Sequence, residues 1–503
     1  HEDLKAGDSL KFVIDYTFRG NAFCVAVSFR KLPALLKPGA CVWIGRTAEL
    51  VITACDKDYA VARVLSNFRL YECMLVNVPG VTVDLPVLQL KDRDDIRNFV
   101  VPNCVDFVAV SAVQNAGDLK FARSILGSSA ESIRLIAKIE NEEGVRNFDE
   151  IVAEADAVML ARGNLGVEIP AEKISLVQKL MVCKCKALCK PVIISGQVLG
   201  SMAERPWPTH GEVADAANAA LDGADCLGLS APTATGRYPV QSLRALGRIC
   251  QDAEQVLDHN GLRRRLSAAD DVEAAAAVQV AVHARAGLII VLPERGADDA
   301  SVDMARRLAA WRAPIPVVAV LHSTIAARNM APVRGALSIV LCGGTTHERL
   351  AAALARIRGR SLVAEGRSVV ALQVTESDSK YMVLDANEAE MRKRSCWVGI
   401  GKLFGGHARV QETFECDSNE TESCLPSGAR YRVLRHGNGA RASDVAVCSW
   451  RCDVRVAPGD WPDQLPAGFE ADFAAYTTPP AVFAPCETGP TWSEVLQSMT
   501  EGD

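Results

Sequence analysis

Between residues 87 and 257 the chain alternates short apolar runs with longer amphipathic segments. Each run is followed by a segment of helical periodicity, such as Ala171–Leu188 or Glu212–Leu221. Five runs have the length and composition of buried strands: Val105–Val110, Ile133–Ile139, Ala157–Leu160, Val192–Ser195 and Cys226–Leu229. Strands that alternate with helices in this way predict a parallel sheet covered by helices, with five of the eight units that close a (β/α)₈ barrel.

The flanking segments have different patterns. Residues 1–86 contain short β-rich runs separated by Gly, Pro or Asp, which predicts a small β domain. Residues 258–390 predict a second α/β domain, with apolar strands LIIVL, VVAVL, LSIVL and SVVALQV and helices around Met304–Trp311 and His347–Arg358. Residues 391–503 are rich in Gly, Pro, Ser and charged residues without sustained periodicity, which predicts a largely disordered tail.

Polar side chains gather where two of the barrel strands end. Lys138 and Glu140 close one strand, and Arg162, Gly163 and Asn164 close the next. The intervening segment has apolar residues at helical spacing from Val145 to Val152 and is predicted to be one helix. Because parallel sheets carry their chemistry at the carboxyl ends of strands, these groups could bind a phosphorylated acid together with a divalent ion.

Four segments carry a family resemblance. AKIENEEG (137–144) and ARGNLGVEIP (161–170) resemble the pyruvate kinase motifs SKIEN.EG and ARGDLG.EIP. PVIISGQVLGSM (191–202) and NVPGVTVDLP (77–86) resemble two further motifs of that family. The resemblance covers residues 1 to about 390 and implies a partial TIM barrel with an N-terminal β lid and a C-terminal α/β domain. In that family the lid follows the third barrel strand, so the first three units are expected before His1.

The resemblance implies phosphoryl transfer from phosphoenolpyruvate to ADP, giving pyruvate and ATP. Lys138 would neutralise the phosphoryl group in transit, and Glu140 with Asn164 would hold Mg²⁺. The backbone NH groups of Gly163 and Asn164 would bind the substrate carboxylate, while Arg162 would order their loop. The resemblance also implies K⁺, but the residues of its site do not map onto this chain. It further implies a homo-tetramer, or a hetero-tetramer with an active pyruvate kinase.

Several functional positions depart from the family pattern. Asn164 replaces a metal-binding Asp, and Gly196 replaces the Thr that assists protonation of the enolate. If the two losses act independently, they lower the rate by roughly 10⁴–10⁶-fold. The lid has Gly45-Arg46-Thr47 where an acidic turn is expected, and Cys73 and Met74 where a basic pair is expected. The effector loop of the C-terminal domain has become Pro293–Asp299, whose two aspartates would repel a phosphate.

These departures leave three hypotheses open. The chain is a divergent active pyruvate kinase, a pseudoenzyme that serves as a binding or regulatory subunit, or a decayed gene product. The presence of Lys138 and Glu140 alone does not indicate catalysis, because the two residues could persist as a structural ion pair. If the ancestral scaffold is intact, Asn164→Asp combined with Gly196→Thr should restore activity.

Composition excludes some classes of protein. Over 503 residues the net charge is −6 and no Lys/Arg-rich run is present, which argues against general nucleic-acid binding. No apolar segment reaches the roughly 20 residues needed to span a bilayer. The 17 cysteines mostly occur singly and without CxxC spacing, as expected in a reducing, cytoplasmic compartment. A cysteine cluster around Cys448 and Cys452 is a minor alternative. Gly343–Thr346 is expected to form a turn and helix N-cap, and less readily an anion site.

Overall fold

The computed structural model describes residues 1–45, 47–81, 86–259, 271–293, 298–360, 362–363, 367–374 and 379–385, with three short strands beyond them. The chain divides into a compact unit of residues 1–405 and 490–503 and a second unit of residues 406–489. In the second unit, only the antiparallel strands Ser423–Cys424 and Arg430–Tyr431 are described. The predicted tail at 391–503 and its cysteine cluster therefore lie almost entirely outside the described residues.

The N-terminal segment forms a β structure around one core. A two-stranded antiparallel ribbon joins β1 to β7, and a six-stranded sheet has the order β3-β2-β6-β5-β4-β8. Alternate residues of these strands are buried, among them Leu10, Phe12 and Leu50, as expected for strands with one face on a core. The strands are β1 Glu2–Leu4, β2 Ser9–Val13, β3 Cys24–Ala26, β4 Cys41–Ile44, β5 Ala48–Cys55, β6 Tyr59–Val64, β7 Phe68–Leu70 and β8 Val76–Asn77.

The central segment forms a five-stranded parallel sheet. Its strands are β9 Phe107–Val110, β10 Arg134–Ile139, β11 Ala157–Ala161, β12 Val192–Ser195 and β13 Cys226–Gly228. They lie side by side in sequence order, which is the arrangement of consecutive units of a (β/α)₈ barrel. All five predicted strands are present, so the fold class predicted from the sequence, a partial barrel between a β domain and an α/β domain, is confirmed.

Helices cover the outer face of this sheet. Val108, Leu135, Val158 and Ile194 point from the strands into a core that the helices complete with Phe148 and other apolar residues. The helices and shorter turns of this segment are Leu90–Asp95, Ile96–Val100, Ala116–Leu126, Glu142–Arg146, Phe148–Glu154, Arg162–Glu168, Ile174–Ala187, His210–Asp222, Ala231–Thr235 and Pro239–Gln255.

The C-terminal segment is a second α/β layer structure. Its sheet has the order β16-β15-β14-β17-β18-β19, parallel from β16 to β17 and antiparallel thereafter. Apolar cores lie on both faces, which explains why these strands are continuously hydrophobic. Its strands and helices are Val272–His283, β14 Ala286–Pro293, Asp298–Ala310, β15 Val317–Leu321, Thr324–Asn329, β16 Ala336–Val340, Thr346–Gly359, β17 Ser368–Val374, β18 Ser379–Asp385 and β19 Val398–Gly399.

Three local predictions need correction. The single helix predicted across Val145–Val152 is two helices, because Asn147 leaves the helical conformation and donates to the Gln114 carbonyl oxygen at 2.8 Å. The strand that ends at Ala161 passes directly into the helix Arg162–Glu168, so Arg162, Gly163 and Asn164 open a helix and do not form a loop. The helix predicted around Met304–Trp311 begins earlier, at Asp298, and ends at Ala310.

The predicted N-cap at Gly343–Thr346 is confirmed. Thr345 caps the helix Thr346–Gly359 and forms a reciprocal capping box with Glu348. The predicted domain boundaries at residues 86, 257 and 390 stay a prediction.

Candidate active site

The register of the parallel sheet brings the predicted site residues to one edge. Ala137 pairs with Val110, and Ala161 pairs with Ser195. The next residue of each strand therefore lies level with its neighbour, which places Lys138 beside Ser111 and Arg162 beside Gly196. Lys138 is the last residue but one of β10, and the other three directly follow the carboxyl ends of their strands, the edge at which (β/α)₈ barrels bind substrate.

Lys138 and Glu140 form a close ion pair at this edge. Lys138 Nζ lies 2.9 Å from Glu140 Oε1 and donates to Ser111 Oγ at 2.8 Å. Glu140 is 7% exposed, and its Oε2 accepts the backbone NH of Ala112 at 3.0 Å. A carboxylate this deeply buried needs such partners, since an unpaired buried charge is very costly. Both carboxylate oxygens of Glu140 are therefore engaged within the protein.

Ala112 is held in an uncommon backbone conformation. Its φ is +53°, a left-handed geometry that non-glycine residues adopt at a cost of about 1–2 kcal/mol. This conformation accompanies the hydrogen bond from its NH to Glu140, and its carbonyl oxygen accepts from Asn141 at 3.2 Å. The turn after β9 is thus tied to the turn after β10, which fixes the orientation of Glu140.

Arg162 organises the neighbouring turn. Its Nη1 and Nη2 atoms contact the two carboxylate oxygens of Asp215 at 2.6 and 2.8 Å, a bidentate geometry. Nη2 also donates to the carbonyl oxygen of Gly196 at 2.9 Å, and Nη1 donates to Gln178 at 3.2 Å. Arg162 is 7% exposed, so its guanidinium connects three segments from inside the protein. This arrangement agrees with an ordering role for Arg162.

Gly196 has a conformation that a side chain would disturb. Its φ is +89°, and a Cβ built on it would lie 2.5 Å from the amide nitrogen of Gly163. The following residues Gln197 and Leu199 also have positive φ values, +59° and +51°. The turn after β12 therefore packs directly against the start of the helix Arg162–Glu168. A Thr at position 196 does not fit this backbone, so the double substitution expected to restore activity would first have to rearrange the turn.

Asn164 lies in the first turn of the helix Arg162–Glu168 and is partly buried. The first NH groups of a helix have no intrahelical acceptor, so the NH groups of Gly163 and Asn164 remain able to bind an anion. Asn164 offers a carbonyl oxygen and Glu140 a carboxylate. This donor set fits a Mg²⁺ ion that takes most of its oxygens from substrate and water, with one protein charge in place of two.

The β domain meets the barrel segment next to this helix. Asn77 at the end of β8 donates to Glu168 Oε1 at 2.6 Å. Burial raises the pKa of the Glu168 carboxyl, and the hydrogen bond from Asn77 opposes that increase. In the β domain, the Met74 side chain occupies the space beside Gly45, where a Cβ would clash with Met74 Cε. Arg46 lies outside the described residues.

The segment in place of an effector loop contains an internally satisfied aspartate. Asp298 accepts the backbone NH groups of His322 and Ser323, at 3.0 and 2.8 Å, and His322 Nδ1 lies 3.0 Å away. His322 Nε2 contacts Arg349 Nη1 at 2.6 Å. Because an arginine only donates, His322 accepts at Nε2 and donates from Nδ1 to Asp298. The Asp298 carboxylate is thus satisfied by donors within the chain.

The described cysteines show no metal or disulfide chemistry. The eleven cysteines from Cys24 to Cys342 are free, and within the described ranges no group of three His, Cys, Asp or Glu side chains could hold a metal ion. Cys185 is buried in the helix Ile174–Ala187, whereas Cys189 lies beyond its end at φ +52°. Cys185 and Cys189 therefore do not share a helical face, because the helix stops at Ala187.

Two important partners were not predicted from the sequence. Asp215 and Gln178 hold Arg162 across 53 and 16 residues of chain. The only sequence signal for Asp215 was its position as an acidic residue in the segment WPTHGEVADAANA (207–219). No sequence pattern indicated the contact between Gly196 and Gly163, because it depends on backbone dihedral angles.

Comparison with known proteins identifies the family to which this chain belongs. The family model for the pyruvate kinase barrel domain matches residues 1–243, and the model for the pyruvate kinase alpha/beta domain matches residues 271–382. Pyruvate kinase of Eimeria tenella is 41% identical over 74% of this chain and 70% of its own length. A cytosolic isozyme from Glycine max is 38% identical over 73% of this chain and 77% of its own length. This chain belongs to the pyruvate kinase family.

Solved pyruvate kinase structures share the fold. A pyruvate kinase from Cryptosporidium parvum superposes with a TM-score of 0.70 at 34% identity, covering 76% of this chain and 79% of that one. A complex of the C. parvum pyruvate kinase with ADP gives 0.69 at 33% identity, covering 78% and 79%. The resemblance found in the motifs therefore extends through the barrel and α/β domains. Among the described residues, no helix of this pyruvate kinase relative is long and apolar enough to cross a membrane.

Proposed function

We propose that this pyruvate kinase family member binds phosphoenolpyruvate at the edge formed by Lys138, Glu140 and Arg162, but transfers the phosphoryl group to ADP slowly or not at all. The observation that supports the proposal most directly is the close packing of the Gly196 backbone against the backbone of Gly163. A side chain at position 196 would lie 2.5 Å from Gly163 N. Where the family pattern has a threonine hydroxyl, this chain therefore has only backbone atoms.

Binding uses groups that the chain retains. The NH groups of Gly163 and Asn164 lie at a helix start, where they can donate hydrogen bonds to the substrate carboxylate. Arg162 holds this helix in place through Asp215, and Lys138 places a positive charge beside Glu140 for the phosphoryl group. Glu140 and Asn164 would hold Mg²⁺, which neutralises phosphoryl oxygens when bound.

Catalysis lacks two contributions. Asn164 removes one negative charge from the metal-binding pair, and Gly196 leaves the enolate without a nearby hydroxyl for its proton. Each loss of a preorganised electrostatic group typically costs about 10²–10³-fold in rate. The Lys138 ammonium must also leave its ion pair with Glu140, or share it, to approach the phosphoryl group. The combination favours binding over turnover.

The proposal is tested on the purified full chain with three variants. Phosphoenolpyruvate with Mg²⁺ should raise the melting temperature of the wild type, because a ligand that binds only the native state stabilises it. Lys138→Met should abolish that increase. Asn164→Asp should raise kcat/KM for pyruvate formation about 10²-fold. Asn103→Asp adds the same charge at an exposed position before β9 and should change neither quantity.

Different outcomes contradict different parts of the proposal. Wild-type turnover that Asn164→Asp does not increase would show that this position does not limit catalysis. A melting temperature that phosphoenolpyruvate does not raise would remove the binding part. In that case, the alternative of a regulatory subunit would be tested by co-purification with an active pyruvate kinase.

A further inference from the structure

The helix His210–Asp222 connects two of its aspartates to the candidate active site. Asp215 and Asp222 are separated by about two helical turns, so their side chains lie on the same side of the helix. Asp215 binds the Arg162 guanidinium directly, through both of its carboxylate oxygens. Asp222 is connected to the same guanidinium through one intervening side chain, that of Gln178.

Gln178, on the helix Ile174–Ala187, lies between a group that only donates and a group that only accepts. Its Oε1 accepts from Arg162 Nη1 at 3.2 Å, and its Nε2 donates to Asp222 Oδ2 at 2.9 Å. An arginine has no acceptor and an ionised carboxylate has no donor, so only one orientation of the Gln178 amide satisfies both. Gln178 is also 5% exposed, which limits replacement of either partner by water. The Asp222 carboxylate therefore fixes the amide that contacts Arg162.

Two arginines of the C-terminal α/β segment hold the end of the helix His210–Asp222. The last carbonyl groups of a helix have no intrahelical donor, and the end of the helix attracts cations. Arg334 Nη1 donates to the carbonyl oxygen of Ala220 at 2.9 Å. Arg312 Nη2 donates to the carbonyl oxygen of Gly223. Because these carbonyl groups lie on either side of Asp222 in the chain, the C-terminal segment helps to fix the position of that residue.

The contacts at this helix end are shielded from solvent. The side chain of Arg312 is 6% exposed and that of Arg334 is 14% exposed. Arg334 also pairs with Glu254 at 2.8 Å, on the neighbouring helix Pro239–Gln255. Hydrogen bonds from a charged donor are stronger than those between neutral groups, so the end of the helix His210–Asp222 has little freedom to shift.

We propose that Gln178 and Asp222 are positioning residues for Arg162, and that Arg334 connects them to the C-terminal α/β segment. A shift of the helix end would move both aspartates of the helix, and with them the guanidinium that orders the turn after β12. The C-terminal segment thereby influences the candidate active site without contacting it. The positioning of Arg162 is independent of the proposed function, whereas an effect on phosphoenolpyruvate binding rests on it.

Hydrogen exchange of the full chain tests the positioning without a ligand. Gln178→Met keeps most of the side-chain volume but removes both hydrogen bonds. It should speed amide exchange roughly 3–30-fold in peptides that cover residues 162–168 and 196–203. If this variant does not fold, Asp222→Asn makes the same prediction.

A neighbouring residue provides the matched control for this exchange measurement. Val177 is buried in the apolar core on the same helix, and its side chain forms no hydrogen bond. Val177→Ala should therefore lower the melting temperature, but it should leave exchange in the two peptides unchanged relative to the rest of the barrel segment.

Calorimetric titration with phosphoenolpyruvate and Mg²⁺ tests the effect on the site. Asp222→Asn keeps the shape of the side chain, but its single oxygen cannot replace both carboxylate oxygens, which accept from Gln178 and Lys179. Gln178→Met and Asp222→Asn should each weaken binding roughly 3–30-fold. Because both act through the same guanidinium, the double variant should bind about as weakly as the weaker single variant.

Two arginines separate this connection from a general loss of contacts between the segments. Arg334→Met removes a donor to the helix end and should weaken phosphoenolpyruvate binding. Arg328→Met is the matched control, because Arg328 joins the same two segments through Asp106 at 2.7 Å and lies outside this chain of contacts. It should bind phosphoenolpyruvate as the wild type does.

Each part of the inference has its own contrary outcome. Exchange that is unchanged in Gln178→Met, or that increases equally in Val177→Ala, would overturn the positioning role. Fully additive losses of affinity in the double variant would overturn the shared path. Equal losses of affinity in Arg334→Met and Arg328→Met would overturn the connection to the C-terminal segment. If the wild type binds no phosphoenolpyruvate, the proposed function fails, and exchange in Gln178→Met and Arg334→Met decides the inference.

Discussion

Gly196 has a φ of +89°, and its contact with Gly163 leaves no space for a Cβ. A side chain cannot simply be added at this position, because the surrounding turn has a backbone conformation that requires glycine. Arg162 adds to this adaptation by donating to the Gly196 carbonyl oxygen at 2.9 Å. The glycine at position 196 is thus required by the backbone of this turn.

A substitution at this residue should therefore destabilise the chain. We expect Gly196→Ala to lower the free energy of unfolding by about 2 kcal/mol or more, because it combines a left-handed backbone with a clash against Gly163. Urea unfolding of the two proteins measures the difference. Gly247→Ala, in the open interior of the helix Pro239–Gln255, should instead stabilise by about 0.5–1 kcal/mol. Equal effects at both positions would contradict the steric argument.

At the scale of elements, the helix His210–Asp222 is held by its first turn. Thr209 caps it, and Glu212 reaches back to the Thr209 NH at 2.9 Å in a capping box. Glu212 also accepts the NH of Ser201 at 2.7 Å, so the same carboxylate fixes the end of the turn that follows β12. This helix carries Asp215, the partner of Arg162. Its N-terminus is thereby coupled to the geometry of the candidate site.

This carboxylate gives a prediction for pH dependence. Partial burial raises the pKa of Glu212, but the hydrogen bonds from Ser201 and Thr209 outweigh burial and hold it below the ordinary 4.5. Its contribution to stability is therefore complete above pH 4.5 and is lost as the pH falls through the folded-state value. Glu212→Gln should cost about 1 kcal/mol near neutral pH, and this cost should shrink below pH 4.5.

Urea unfolding of wild type and Glu212→Gln at several acidic pH values measures the change. Glu204→Gln serves as the control, because Glu204 is exposed and accepts no side-chain hydrogen bond in the described structure. A cost of Glu212→Gln that stays constant as the pH falls would show that packing, not the charge, is responsible.

For the whole molecule, ion pairs and hydrogen bonds join the barrel segment to the C-terminal α/β segment. Arg312 contacts Asp225 at 3.2 Å, Arg334 contacts Glu254 at 2.8 Å, and Arg328 contacts Asp106 at 2.7 Å. The first of these pairs is almost fully buried, whereas the other two are partly exposed. Burial at this interface, followed by the charge of Arg312, lowers the pKa of Lys186.

Lys186 predicts a pH dependence in the same direction as that of Glu212, but in a higher pH range. The pKa of Lys186 falls from 10.5 in an exposed lysine to about 7 in the folded chain. Between these values only the unfolded chain holds the proton, so the free energy of unfolding should rise with pH across this window. Each pKa unit corresponds to about 1.4 kcal/mol. Because the lysine stem is partly exposed, we expect an increase of roughly 2–4 kcal/mol.

The comparison with Lys186→Met isolates this contribution. The variant should be more stable than the wild type at about pH 7, and the two should converge as the pH approaches about 10. Urea unfolding at intermediate pH values follows the convergence. A difference that is independent of pH across the window would show that Lys186 is not the group responsible.

The sequence by itself determined the elements and the family of this protein. Apolar runs with polar ends located all five parallel strands, since burial on both faces requires continuous hydrophobic residues. The helix N-cap at Gly343–Thr346 could also be predicted from the sequence, because a cap depends on residues that are close in sequence. The positions of Lys138, Glu140 and Arg162 at one edge followed from the rule that parallel strands present their carboxyl ends together.

Only the tertiary structure decided how these residues are engaged. The partners of Arg162 lie 16 and 53 residues away, and no local pattern specifies a pairing over such distances. The break of the predicted helix at Asn147 depends on a carbonyl oxygen 33 residues earlier. The burial of Lys186 arises from the packing of two segments against each other, and the sequence of neither segment alone predicts it. The periodicity of the sequence predicts which side chains are buried, whereas the tertiary structure determines which groups those side chains contact.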